Sequence, residues 1–308
     1  MYFITNKTVK HSGENLEFVE SNELSQSLRY CEMVNDTQFI EIKSEPFMKL
    51  LFEADEKEIL FYIHGFNNQP DKDILPRAKA MQVQLNSASL DNVLIVPIIW
   101  PCDDDFGIIK DYWDDQEAAE QTGKIFARSI SKLVQWQEKN SANPCMKRMH
   151  VFAHSMGGRV LVQCLNHWAN KFGNGGVPYL FKNVFLMASD IPNESLEKGE
   201  DGEFITQASQ RVISYFANDD FSMPASKISN MRNMVFSRRI GHTGPEDMSK
   251  VPPNVYAVNC DSFNNKFDDP KGHSYFLDKD NKKSPAFEHV IKVLKTKKQS
   301  LDSRQITL

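Results

Sequence analysis

Short apolar runs alternate with amphipathic stretches along most of the chain. Six runs predict strands, at residues 59–63, 93–100, 149–153, 183–188, 211–217 and 255–259. Val93-Leu94-Ile95-Val96 and Val184-Phe185-Leu186-Met187 are continuous rather than alternating, as in strands buried on both faces of a parallel sheet. Pro97 interrupts the second predicted strand and predicts a shortening or bulge near its end. Between the strands lie helical stripes. Ile74, Ala78, Met81 and Leu85 form one, Phe126, Ile130, Leu133 and Val134 a second, and Leu161, Cys164, Leu165 and Trp168 a third. Asp114, Asp115 and Glu117 precede the second stripe, where acids favour a helix N-terminus. Strand and helix in regular alternation predict a right-handed parallel α/β sheet. Residues 2–5 and 38–42 are expected to add edge strands within a 1–55 extension. Residues 1–298 read as one domain and 299–308 as a polar tail. Residues 193–202 and 241–253 read as excursions above the sheet.

Composition narrows the class. With 41% hydrophobic and 25% charged residues in 308, the chain resembles ordinary soluble proteins. A formal net charge of −5 gives no reason to expect nucleic acid. The five cysteines, Cys31, Cys102, Cys145, Cys164 and Cys260, have neither zinc-site spacing nor a dense disulfide pattern. No run reaches the roughly 18 apolar residues of a membrane span. The apolar start is too short for a signal peptide, so a cytoplasmic protein is expected.

The densest chemistry lies at residues 150–160. An apolar strand there passes through Ala153-His154-Ser155-Met156-Gly157 into the third helical stripe. A serine on such a strand-to-helix turn is held in a strained conformation with its hydroxyl clear of the sheet. The turn demands small residues two before and two after the serine, and Ala153 and Gly157 occupy those places. Alanine replaces the first glycine of the usual G-x-S-x-G pattern and still meets its steric requirement. Upstream, residues 58–63 form a strand that ends in His64-Gly65-Phe66-Asn67.

These segments, with Trp100-Pro101 and a Tyr112 to Ala118 helix between them, resemble the α/β-hydrolase superfamily. They are similar in particular to a bacterial branch of uncharacterised α/β-hydrolases. The likeness spans roughly residues 55 to 290, and its specific part is the elbow with the His-Gly loop. Cys102-Asp103-Asp104-Asp105 departs from the small segment usual there and affects the pocket wall. The resemblance implies an α/β-hydrolase fold, with a mostly parallel central sheet of about eight strands flanked by helices. It also implies the chain order nucleophile, acid, histidine. Asp220, in Asp220-Phe221-Ser222-Met223-Pro224, resembles the acid loop, and His273 the histidine loop. Asp190 follows a strand too and is the competing acid, although Ile191-Pro192 suggests a carboxylate that ties its own turn. The oxyanion donors implied are the N–H groups of Phe66 and Met156, and His64 is expected to pin the loop.

The expected chemistry is hydrolysis of a carboxylic ester through an acyl-Ser155 intermediate, with His273 as base and Asp220 orienting it. Thioesters and small amides are secondary candidates. Trp100, Phe221, Met223 and His242 are expected to line the pocket for a small-molecule ester or acyl substrate. No metal or organic cofactor is expected. The alternative is a catalytically silent protein of this fold that binds or scaffolds.

Overall fold

The computed structural model describes residues 1–19, 23–102, 108–143, 145–220, 238–298 and 300–308, with side chains from 115 onward in its longest helix. The N-terminal part comprises β1 (Tyr2–Lys7), β2 (Val9–Ser12), β3 (Asn15–Phe18), β4 (Leu24–Met33), β5 (Phe39–Glu41) and α1 (Ser44–Glu53). There follow β6 (Glu58–Ile63), α2 (Leu75–Ser87), β7 (Val93–Ile99), α3 (Ile108–Lys139), β8 (Arg148–His154) and α4 (Gly157–Lys171). The remainder contains β9 (Phe181–Met187), β10 (Ser209–Phe216), β11 (Val255–Asn259), α5 (Pro285–Lys295) and β12 (Gln305–Thr307). Among the described residues these strands make one twelve-stranded sheet, in the order β12-β11-β10-β9-β8-β6-β7-β1-β4-β5-β3-β2. The eight strands from β12 to β1 run parallel, and the four beyond β1 pair antiparallel.

The apolar runs are continuous because both faces of the parallel strands are covered. Ile59 and Ile63 of β6, Val151 of β8 and Val184 of β9 pack under α1, α3 and α4. Their alternates Leu60, Tyr62, Phe152 and Phe185 pack with α2 and α5 on the other face. The stripe Ala78, Met81, Leu85 is the buried side of α2. Ser284 caps α5 by accepting the Phe287 N–H, and Pro285 opens its first turn.

The fold departs from the sequence pattern in four places. Pro97 neither shortens nor bulges β7, which stays in register with β6 from Val93 to Ile98. The ladder to β1 starts only at Ile98, beyond the residue that lacks an N–H. Neither early run is an edge, since β1 lies between β7 and β4, and β5 between β4 and β3. The acids before the second stripe lie inside α3, which already begins at Ile108, and Asp115 is fully buried. Finally, the stretch read as a polar tail adds β12, whose Gln305–Thr307 pair with Ala257–Asn259. An edge strand of three residues buries too little to leave an apolar signature.

A polar row crosses the largely apolar face that carries α2 and α5. His150, Asn183 and Arg211 stand in register on β8, β9 and β10. Arg211 Nε–H donates to Asn183 Oδ1 at 2.7 Å, Asn183 Nδ2–H to His150 Nδ1 at 2.8 Å, and His150 Nε2–H to Glu58 Oε2 at 2.8 Å. Removing the central member strands a buried guanidinium and a buried imidazole. Asn183→Leu is expected to cost about 2–3 kcal/mol of folding free energy in a urea titration. A loss under about 0.5 kcal/mol would mean that the row adds nothing to stability.

Candidate active site

The chemistry-bearing loops all leave the carboxyl ends of the parallel strands. Ser155 follows β8 directly, with φ at 53°, and α4 starts two residues later. Its N–H donates to Met187 O at 3.0 Å, while its C=O accepts the Gly158 and Asp190 N–H groups, both at 3.0 Å. The small residues around it are sterically required. A Cβ on Gly157 would stand 2.5 Å from Ile63 O, and one on Gly65 would stand 2.9 Å from the Ser155 Cβ. The His-Gly loop therefore lies directly against the serine.

That loop is pinned from several sides. His64 Nδ1–H donates to Gly65 O at 2.7 Å, and its Nε2 accepts the Trp100 N–H at 3.1 Å. The Trp100 indole N–H donates to His64 O at 2.9 Å, and the two rings stack 4.9 Å apart. Burial drives the His64 pKa down to about 3, so the ring stays neutral and keeps this tautomer. Asn68 Nδ2–H donates to Gly65 O and Phe66 O, and Asp115 on α3 accepts the Asn67 N–H at 3.2 Å. Met156 is fully buried, and among the described residues its N–H takes no hydrogen-bond partner.

The acid and the histidine meet across β10 and β11. His273 Nδ1–H donates to Asp220 Oδ2 at 2.6 Å, and both residues are buried. This leaves His273 Nε2 buried and without a hydrogen-bond partner among the described residues. The His273 ring lies 4.8 Å from that of His154, the residue before Ser155, and the His154 Nε2–H points at His273 O at 3.4 Å. Asp268 accepts the N–H groups of His273 and Ser274 at 2.8 and 2.7 Å and fixes the loop. Burial alone would lower the His273 pKa. The charge and hydrogen bond of Asp220 outweigh it, helped by Asp268 and Asp190, and hold the imidazole above 6.5.

Asp190 is engaged elsewhere. Its carboxylate accepts Arg159 Nε–H at 3.1 Å and pairs with Arg239 Nε at 3.1 Å, tying α4 to the 238–244 segment. Of the residues expected to line a pocket, Trp100 is instead fully buried beneath the His-Gly loop. Its large flat ring is consumed by stacking on His64. Phe221 and Met223 lie outside the described residues, as do Asp103, Asp104 and Asp105. His242 is half-buried on the Ile240–Thr243 turn, within electrostatic reach of Asp261. A pocket of about 200 Å³ beside the first turn of α4 is lined by Gln116, Arg159 and Arg239 together with Val162, Ile191 and Pro192. Asp115 was not legible as a site residue, because the backbone it contacts is brought near only by the fold, and Asp268 reads as one more acid in a polar loop. Gly65 was legible.

A serine on a strained strand-to-helix turn, a histidine with a buried carboxylate, and this sheet order define the α/β-hydrolase fold. Residues 41–284 match the family described as alpha/beta hydrolase of unknown function (DUF900), and the chain belongs to it. A search of the curated proteins finds no match. Among the described residues no helix is long and apolar enough to cross a membrane.

A histidine pKa above its unfolded value of 6.5 stabilises the fold below that pH, and the contribution fades as pH rises through the folded value. An NMR titration of His273 is expected to give a midpoint above 6.5 in the wild type and a lower one in Asp220→Asn, where burial is opposed only by the charges of Asp268 and Asp190. Equal midpoints would mean that the carboxylate does not control this ring.

Proposed function

We propose that this chain hydrolyses carboxylic esters through an acyl-Ser155 intermediate. The observation that carries this reading is the buried 2.6 Å hydrogen bond between His273 and Asp220, with Nε2 left over at the sheet end that holds Ser155. In this mechanism Nε2 takes the Oγ proton as Oγ attacks the acyl carbonyl carbon. Asp220 keeps the other proton on Nδ1 and stabilises the imidazolium that forms. The N–H groups of Phe66 and Met156 receive the developing oxyanion. Collapse of the tetrahedral intermediate breaks the bond to the leaving oxygen, which takes the proton from His273. Water then repeats the sequence, releasing a carboxylic acid and restoring Ser155. The same steps accommodate thioesters and small amides, and they call on no metal or organic cofactor. Membership of an α/β-hydrolase family supports the reaction class.

A fluorophosphonate probe is expected to label Ser155 alone, since reaction needs an activated serine. An elbow peptide that stays unlabelled beside a reacting control esterase would favour a silent binding protein of the same fold. Ser155→Ala should lower kcat for a reactive ester by roughly 10⁴–10⁶. Asp220→Asn should keep the fold and cost about 10⁴ through the wrong imidazole tautomer. Asp190→Asn should cost at most about tens-fold, because its carboxylate holds arginines rather than the base. The reverse ranking in two equally folded variants would transfer the acid role to Asp190. The kcat/KM profile should rise with pH through a midpoint above 6.5, because His273 accepts a proton only when neutral.

A further inference from the structure

On the face covered by α1, α3 and α4 the side chains leave space unfilled. A cavity of about 120 Å³ lies between Ile59, Met149 and Val151 of the sheet and Met48, Ile130 and Leu161 of the helices. Its lining is almost wholly apolar, and a dry apolar cavity of about 150 Å³ is large enough to take up benzene. The cavity extends towards the amino ends of β8 and β9, the end of the sheet opposite Ser155. There Lys147, Met149, Leu180 and Phe181 belong both to its wall and to a surface groove of about 490 Å³. Lys147, Arg148, Lys182 and Lys297 line that groove. Of the nearby carboxylates, Glu58 is buried and already holds His150, Arg148 and Lys182, while Asp55 and Glu56 lie on the flank of Lys147. Cations still outnumber carboxylates here, in a chain whose formal net charge is −5. Two exposed apolar side chains, Met146 at 85% and Tyr179 at 66%, stand at the same end.

An apolar cavity that shares wall residues with a cationic groove at the end of the sheet is complementary to one kind of small molecule. We propose that this is a binding site for a medium-chain alkyl carboxylate, with the chain in the cavity and the head group between Lys182 and Lys297. The site is separate from Ser155 and does not depend on the proposed hydrolysis.

The test is a titration of the Ser155→Ala chain with octanoate, followed by calorimetry and by the emission of Trp136, which lines the cavity. Saturable one-site binding is expected, with affinity rising about threefold to fourfold per methylene from butanoate to octanoate. Octanol should bind about tenfold more weakly, for lack of the charge. Lys297→Gln and Lys182→Gln together should weaken octanoate about tenfold and leave octanol unchanged. Leu133→Trp, which fills the cavity, should abolish binding; where that variant does not fold, the exposed Lys297→Gln alone carries the test. Absence of saturable binding would overturn the proposal, as would equal affinity for octanol and octanoate. Binding to the wild type that disappears once Ser155 is blocked by fluorophosphonate would assign octanoate to the active site instead. An emission change that persists in Trp136→Phe would likewise move it out of the cavity.

Discussion

Ser155 is held at a positive φ that an L-residue takes only at a cost of about 1–3 kcal/mol. Three backbone hydrogen bonds, to Met187 O and from the N–H groups of Gly158 and Asp190, offset that cost at about 1 kcal/mol each. They can form only because β6, β9 and α4 all approach the turn to within van der Waals contact. Gly65, Gly157 and Gly158 make that approach possible, for a methyl group on any of them would meet Ser155, Ile63 or Ser189 at under 3 Å. The central strand order, the start of α4 and the path of the His-Gly loop are therefore parts of one steric solution.

Electrostatics then separates two carboxylates that leave the ends of neighbouring strands. Asp190 sits between two guanidiniums and binds the elbow helix to the 238–244 segment. Asp220 faces an imidazole, a group able to gain or lose a proton near neutral pH. Burial makes the distinction sharper, since both carboxylates are out of water and neither can rely on it for compensation.

Much of this was legible in the residues. Strands buried on both faces write themselves as unbroken apolar runs, and Val255–Asn259 matches its predicted bounds residue for residue. The elbow was legible because its steric demand restricts residue type at fixed spacing. Of the N-terminal strands, β1 and β5 fall on expected runs, whereas β2, β3 and β4 were not legible, because they are half-exposed and mix polar with apolar residues without clean alternation. Trp100 misled for a different reason. A large aromatic after a strand end suits a pocket wall and a buried stacking partner equally well, and only the His64 ring stacked on it decides. Asp115 was misread as a helix-terminal charge because the pattern gave no sign of two further turns of α3 before it.

The margins of the sheet carry a consequence for how copies of this protein meet. A twelve-stranded sheet offers unpaired N–H and C=O groups at each border, which is a template for cross-chain pairing. Both borders are blunted. β12 is three residues long and exposes Gln305 and Thr307, while β2 carries Lys10, which pairs with Glu17, and His11. Short polar borders leave little to zip onto. Growth of the sheet from chain to chain is therefore disfavoured at β12 and at β2.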